Sequence, residues 1–129
     1  GMIMKKITVK TDQAPAAIGP YEQAVIYGDV VYCSGQIGLV PDTGDMISGL
    51  VEQQAEQVIE NLSAVLQASG SSLDKVIKCT VYLTDMDDFS VVNEMYARYF
   101  ENFPPAREAV AVSALPKGAL IEISCMAHL

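Results

Sequence analysis

The stretch PPAREAVAVSALPKGALIEISCMA, residues 104–127, decides how this chain is read. Pro104 and Pro105 cannot continue a helix, because each lacks the N–H that an interior helical residue donates. Arg107 therefore opens an extended segment. Leu115-Pro116-Lys117-Gly118 reads as a turn, and residues 119–127 as a strand. On that strand Ile121, Ile123 and Cys125 share one face, while Leu120, Glu122 and Ser124 share the other. In the segment before it, Val110 and Val112 oppose Arg107, Ala109 and Ala111. Two such strands paired as an antiparallel hairpin would bring a guanidinium and a carboxylate to one end of a sheet. A cationic anchor beside a water-orienting carboxylate is a minimal kit for hydrolysing a small anionic substrate.

Upstream, residues 3–9 read as a first strand and residues 12–20 as a loop. Residues 24–27 and 30–34 form a hairpin across Gly28-Asp29, a turn pair of the right type, and Pro41-Asp42-Thr43-Gly44 is a second turn. From Val51, apolar residues fall at 55, 58, 59, 62, 65 and 66, one stripe at helical spacing that Gly70 stops. Residues 76–83 are rich in branched side chains and read as a strand, with Ile77, Cys79, Val81 and Leu83 opposing Val76, Lys78, Thr80 and Tyr82. Asp85 or Asp87 caps a second helix carrying Phe89, Val92, Tyr96, Tyr99 and Phe100 on its apolar side, which Pro104 ends. The expected class is α+β: a mixed sheet whose aliphatic face receives both helices. Its other face is too apolar for open solvent and is expected to pack on another copy of the chain.

The 129 residues suit one domain, 1–129, with Gly1 before Met2 read as an expression remnant. No apolar run approaches the roughly 20 residues that span a bilayer, and no signal-peptide pattern follows Lys5-Lys6, so a cytoplasmic protein without membrane partners is expected. A net charge of −8 argues against nucleic acid, whose phosphates need a basic face. Three cysteines, Cys33, Cys79 and Cys125, each lie among aliphatic neighbours in a separate strand, which indicates buried thiols rather than disulfides or a zinc site. With His128 the one histidine, a histidine-based nucleophile system is improbable and the usual metal ligand is missing, so no metal is expected.

Beyond Arg107 and Glu122, the chain carries Ile18-Gly19-Pro20-Tyr21 with Gln23-Ala24, Ser34-Gly35-Gln36-Ile37, Pro41-Asp42-Thr43-Gly44, Asn61-Leu62, Asp85-Met86-Asp87-Asp88-Phe89, Val92-Asn93-Glu94 and Tyr96. In this order, over about residues 15–127, these motifs resemble the RidA (YjgF-type) family of reactive intermediate/imine deaminases. The resemblance implies a chorismate-mutase-like fold assembled as a homotrimer, with clefts at the subunit interfaces. It implies hydrolysis of small 2-imino acids (2-iminobutanoate, 2-iminopropanoate) to 2-keto acids and ammonia without a cofactor. By the same resemblance Arg107 binds the substrate carboxylate and Glu122 orients water, while Tyr21, Ser34, Gly35, Asn93 and Ala109 line the cleft. Many relatives have cysteine where this chain has Ala109, and serine or threonine where it has Glu22, which bears on pocket size and charge. A trimer that binds small keto acids without turnover is the alternative. Endoribonuclease or chaperone activity, also associated with the family, is the less favoured reading, and the acidic charge with no basic stripe argues against the nuclease.

Overall fold

The computed structural model describes residues 4–129. Strands β1 (Ile7–Val9), β2 (Ala24–Tyr27) and β3 (Val30–Gln36) precede helix α1 (Val51–Ala68). Then come β4 (Val76–Leu83), α2 (Phe89–Phe100), β5 (Ala106–Ala111) and β6 (Ile121–His128). The six strands form one mixed sheet in the order β1-β2-β3-β6-β4-β5. Every neighbouring pair is antiparallel except β4 and β5.

That exception corrects the hairpin expected between the last two strands. A helix connects β4 to β5, and a strand that returns through a helical crossover lies parallel to the one it left. β6 then enters between β3 and β4 instead of pairing with β5. The burial pattern explains the choice. Ile121, Ile123, Cys125 and Ala127 are all at most 5% exposed and suit the middle of a sheet, whereas alanine-rich β5 is exposed at nearly every position and suits an edge. β6 is also shorter at its start than expected: Pro116–Gly118 forms a helical turn and the strand begins at Ile121. At the other end β1 begins at Ile7, while Gly1 and Ile3 lie outside the described residues.

Both helices pack on one face, as the alternation indicated. Val58, Ile59, Leu62, Val65 and Leu66 of α1 meet Val31, Val81, Leu83, Ile121 and Ile123 of the sheet, all at most 2% exposed. Each such side chain contributes about 1.5–3 kcal/mol relative to exposure. Gly70 ends α1 at φ +85°, where Ser71 N–H reaches the Leu66 carbonyl at 2.8 Å, a closure that glycine adopts without steric cost. Asp85 caps the turn leading into α2, its carboxylate accepting from Asp87 N–H at 2.9 Å. The three cysteines are free and buried, and they stand in line across β3, β6 and β4, Cys33 opposite Cys125 and Cys125 opposite Cys79.

Two irregularities shape the site. A register shift between Val76 and Lys78 turns Ile77 outward, 46% exposed, and puts Val76 in the core, reversing the expected alternation there. Between Cys33 and Gln36, β3 takes one residue more than β6, a bulge that falls on Ser34 and Gly35. No described helix is long and apolar enough to cross a membrane.

Candidate active site

Arg107 projects from β5 toward α2. In the parallel register it stands beside Cys79, on the helix-covered face. Its Nη1 donates to Asn93 Oδ1 at 2.8 Å, and its Cζ lies 4.7 Å from the Tyr96 ring centroid and 5.5 Å from that of Phe89. Among the described residues no carboxylate pairs with it. Glu108, its neighbour in sequence, points to the other face, where Lys78 Nζ lies 3.1 Å away and the Thr80 hydroxyl donates to it. That hydroxyl, with Lys78, lowers the Glu108 pKa below its ordinary value. Ala109 sits two residues beyond Arg107 on the same face, half-buried against the core.

Glu122 occupies the opposite face. It stands across from Tyr82, between Ile121 and Ile123, whose side chains are buried on the helix side. It is half-buried, and burial raises its pKa above the ordinary 4.5. Gly35 lies directly against it: a Cβ at that position would fall 2.5 Å from Glu122 Oε2 and 2.9 Å from Cδ. The bulge in β3 and the missing side chain together make the space in which the carboxylate rests.

Ser34 joins this second group through the backbone. Its hydroxyl donates to the Glu22 carbonyl at 2.6 Å, and its N–H donates to the Gln23 carbonyl at 3.0 Å, so it fastens the loop that carries Tyr21. Gln23 fixes the loop from inside, accepting from Thr11 N–H at 2.7 Å and donating to the Pro15 carbonyl at 2.7 Å. Tyr21 is 48% exposed and lines an open groove of about 1130 Å³ with Lys6, Lys10, Asp12 and Glu22, to which neither Arg107 nor Glu122 contributes. No group of three or more histidine, cysteine or acidic side chains among the described residues is arranged to hold a metal.

The expected residues thus fall into two sets. Arg107, Asn93 and Ala109 belong to the helix side of the edge strand; Glu122, Gly35 and Ser34, with the Tyr21 loop tied to them, belong to the region of the uncovered face. One chain does not bring Arg107 and Glu122 together. Phe89 and Tyr96, assigned by their spacing to the core, also belong to the first set. The signal was present: residues 89, 93 and 96 recur at i, i+4 and i+7, on one helical face with Asn93.

Comparisons with known proteins agree with this architecture. The family model described as Endoribonuclease L-PSP matches residues 11–129. The human 2-iminobutanoate/2-iminopropanoate deaminase is 47% identical over 119 residues, covering 92% of this chain and 87% of its own length. A Rid-family protein of Yersinia pestis, YyfA, superposes with a TM-score of 0.94 at 46% identity, over 97% of this chain and all of that one. The structure of TdcF from E. coli with bound serine gives a TM-score of 0.91 at 40% identity, over 95% of this chain and 99% of the other. With near-complete coverage at these identities, and with the same mixed sheet and two helices, the chain belongs to the RidA (YjgF-type) family of deaminase-type hydrolases.

Proposed function

We propose that the chain hydrolyses small 2-imino acids to 2-keto acids and ammonia, in clefts that form between copies of a homotrimer. The observation that carries this reading is Arg107: a guanidinium with no carboxylate partner among the described residues, held by one hydrogen bond and two aromatic rings. Such a group is prepared for an incoming carboxylate, which it binds through two parallel charge-assisted hydrogen bonds. The human relative's name supports an imino-acid substrate, and the serine bound to TdcF supports a ligand of similar size and charge.

Glu122 supplies the second half. Its burial-raised pKa places it nearer neutrality than an exposed glutamate, so it exchanges protons more readily with water and substrate. It takes a proton from water as the oxygen bonds to the imine carbon, and the C=N electron pair moves to nitrogen. Nitrogen takes up that proton from Glu122, giving a neutral carbinolamine, which then collapses: its hydroxyl proton passes through Glu122 to nitrogen, the C–N bond breaks as the carbonyl forms, and ammonia leaves. These steps draw on protein groups and water alone. Because Arg107 and Glu122 lie on opposite sheet faces, the reading requires Arg107 of one copy to meet Glu122 and Gly35 of another. The uncovered face, where Tyr32 is 46% exposed and Tyr82, Ser124 and Met126 are half-buried, is the surface on which such copies would pack.

Binding of a small keto acid without turnover is the alternative that the serine-bound TdcF favours. A semicarbazide-competition assay separates the two. A purified dehydratase acting on threonine or serine generates the imine, and catalysis diverts it from semicarbazone to free keto acid. The expected result is a diversion proportional to protein concentration. Keto-acid binding with no diversion from either substrate would establish the binding reading.

A further inference from the structure

We propose that Tyr96 and Phe89 are positioning residues, whose ring faces fix the Arg107 guanidinium in the orientation that receives the carboxylate. The inference rests on the reading of Arg107 as carboxylate anchor. Arg107 stands on an edge strand exposed at nearly every position, so its own strand offers little to restrain a long side chain. Restraint comes from α2, with the Tyr96 centroid 4.7 Å and the Phe89 centroid 5.5 Å from Cζ.

The chemistry of the restraint matters. A guanidinium has five N–H donors, and here Asn93 takes one. A ring face attracts the cation through its quadrupole and occupies no donor in the plane. A carboxylate in place of either ring would hold the arginine as well, but it would neutralise the charge and consume the fork. The aromatic cradle orients Arg107 while leaving most of its donors for substrate.

The Tyr96 hydroxyl has no part in this grip. It is buried, Tyr96 being 7% exposed, and makes no hydrogen bond of ordinary geometry. Its polar neighbour is the Cys79 thiol, a weak partner, and burial raises the phenol's pKa so that it stays neutral. A tilted contact with the Phe100 ring, at 4.5 Å between centroids, also holds the Tyr96 ring. The ring alone does the positioning, so phenylalanine should replace it and leucine should not.

The test compares wild type, Tyr96→Phe, Tyr96→Leu, Phe89→Leu and Arg107→Ala. It uses calorimetric binding of 2-oxobutanoate, kcat and KM for imine hydrolysis, thermal melts and gel filtration. Tyr96→Phe is expected to bind as wild type and melt no lower. Tyr96→Leu is expected to raise Kd and KM roughly tenfold and Phe89→Leu roughly threefold, with kcat within about twofold, because an anchor used equally by substrate and transition state affects KM. Rings that served packing alone would lower the melting temperature of the leucine variants and leave Kd and KM of the folded protein unchanged, which overturns the proposal. Tyr96→Phe as weak as Tyr96→Leu overturns it too, since the hydroxyl would then be the acting group. If Tyr96→Leu does not fold, Phe89→Leu beside Tyr96→Phe carries the same comparison. Wild-type affinity in Arg107→Ala would remove the anchor reading and the cradle with it. Lost affinity in Arg107→Ala, with unchanged Kd in the leucine variants, would remove the cradle alone.

Discussion

Arg107→Ala is expected to lose nearly all imine hydrolysis above the uncatalysed rate while keeping its fold. Each charge-assisted hydrogen bond to a sheltered carboxylate contributes about 1.5–3 kcal/mol. Losing two lowers kcat/KM by about 10²–10⁴-fold. The fold has little at stake, because Arg107 lies on an exposed edge strand and makes one side-chain hydrogen bond, to Asn93. Its ring contacts contribute about 0.5–1 kcal/mol at a site of this exposure. The semicarbazide assay and a thermal melt, run beside wild type, read both quantities. Near-normal diversion of the imine by the variant would remove the proposed mechanism at its centre.

Gly35→Ala is expected to fold and to turn over slowly. The added methyl would sit 2.5 Å from Glu122 Oε2, so one of the two must move. The carboxylate is the end of a flexible chain and yields before the backbone does. Displacing it misplaces the water, at a cost of about 10–10²-fold in kcat. Glu122→Gln, which keeps the shape and removes the base, should lose at least as much. The double variant should be no worse than Glu122→Gln alone, since both changes act through one carboxylate. A wild-type kcat in Gly35→Ala would show that the position of Glu122 does not govern the rate. The pH profile adds a sign: with its pKa raised above 4.5, Glu122 loses its proton-accepting form as pH falls through that higher value. The acid limb of kcat should therefore lie above the ordinary glutamate range and vanish in Glu122→Gln.

Much of this architecture was legible in the sequence. The stripe at 55, 58, 59, 62, 65 and 66 located α1, the paired prolines ended the helical segment, and the alternation about Glu122 put its carboxylate away from Ile121 and Ile123. Alternation, however, describes one strand at a time. Which face of β5 matched which face of β6 depended on β4 lying between them, and that order follows from the α2 crossover and from full burial of one face of β6, neither of which is a local signal. The two bulges escaped for the same reason: an extra residue is defined against a partner strand. Gly35 could be read as a glycine permitting close approach, but what approaches it is a side chain 87 positions later (122 − 35). Phe89 and Tyr96 have the spacing of core residues because both pack with the core, Tyr96 within it and Phe89 against it, while both rings also lie beside a cation.

The placement of Arg107 and Glu122 on opposite faces has a genetic consequence. If each cleft draws its anchor from one copy and its base from the next, a copy is two half-sites facing different neighbours. Damage to one half leaves the other serviceable. Arg107→Ala and Glu122→Gln subunits, each inert alone, would then complement when co-assembled, and random mixing in equal amounts would restore roughly one cleft in four. Inactivating alleles of this protein would sort into two groups according to which face of the sheet they strike, and a diploid or co-expressing cell carrying one of each would keep part of its activity.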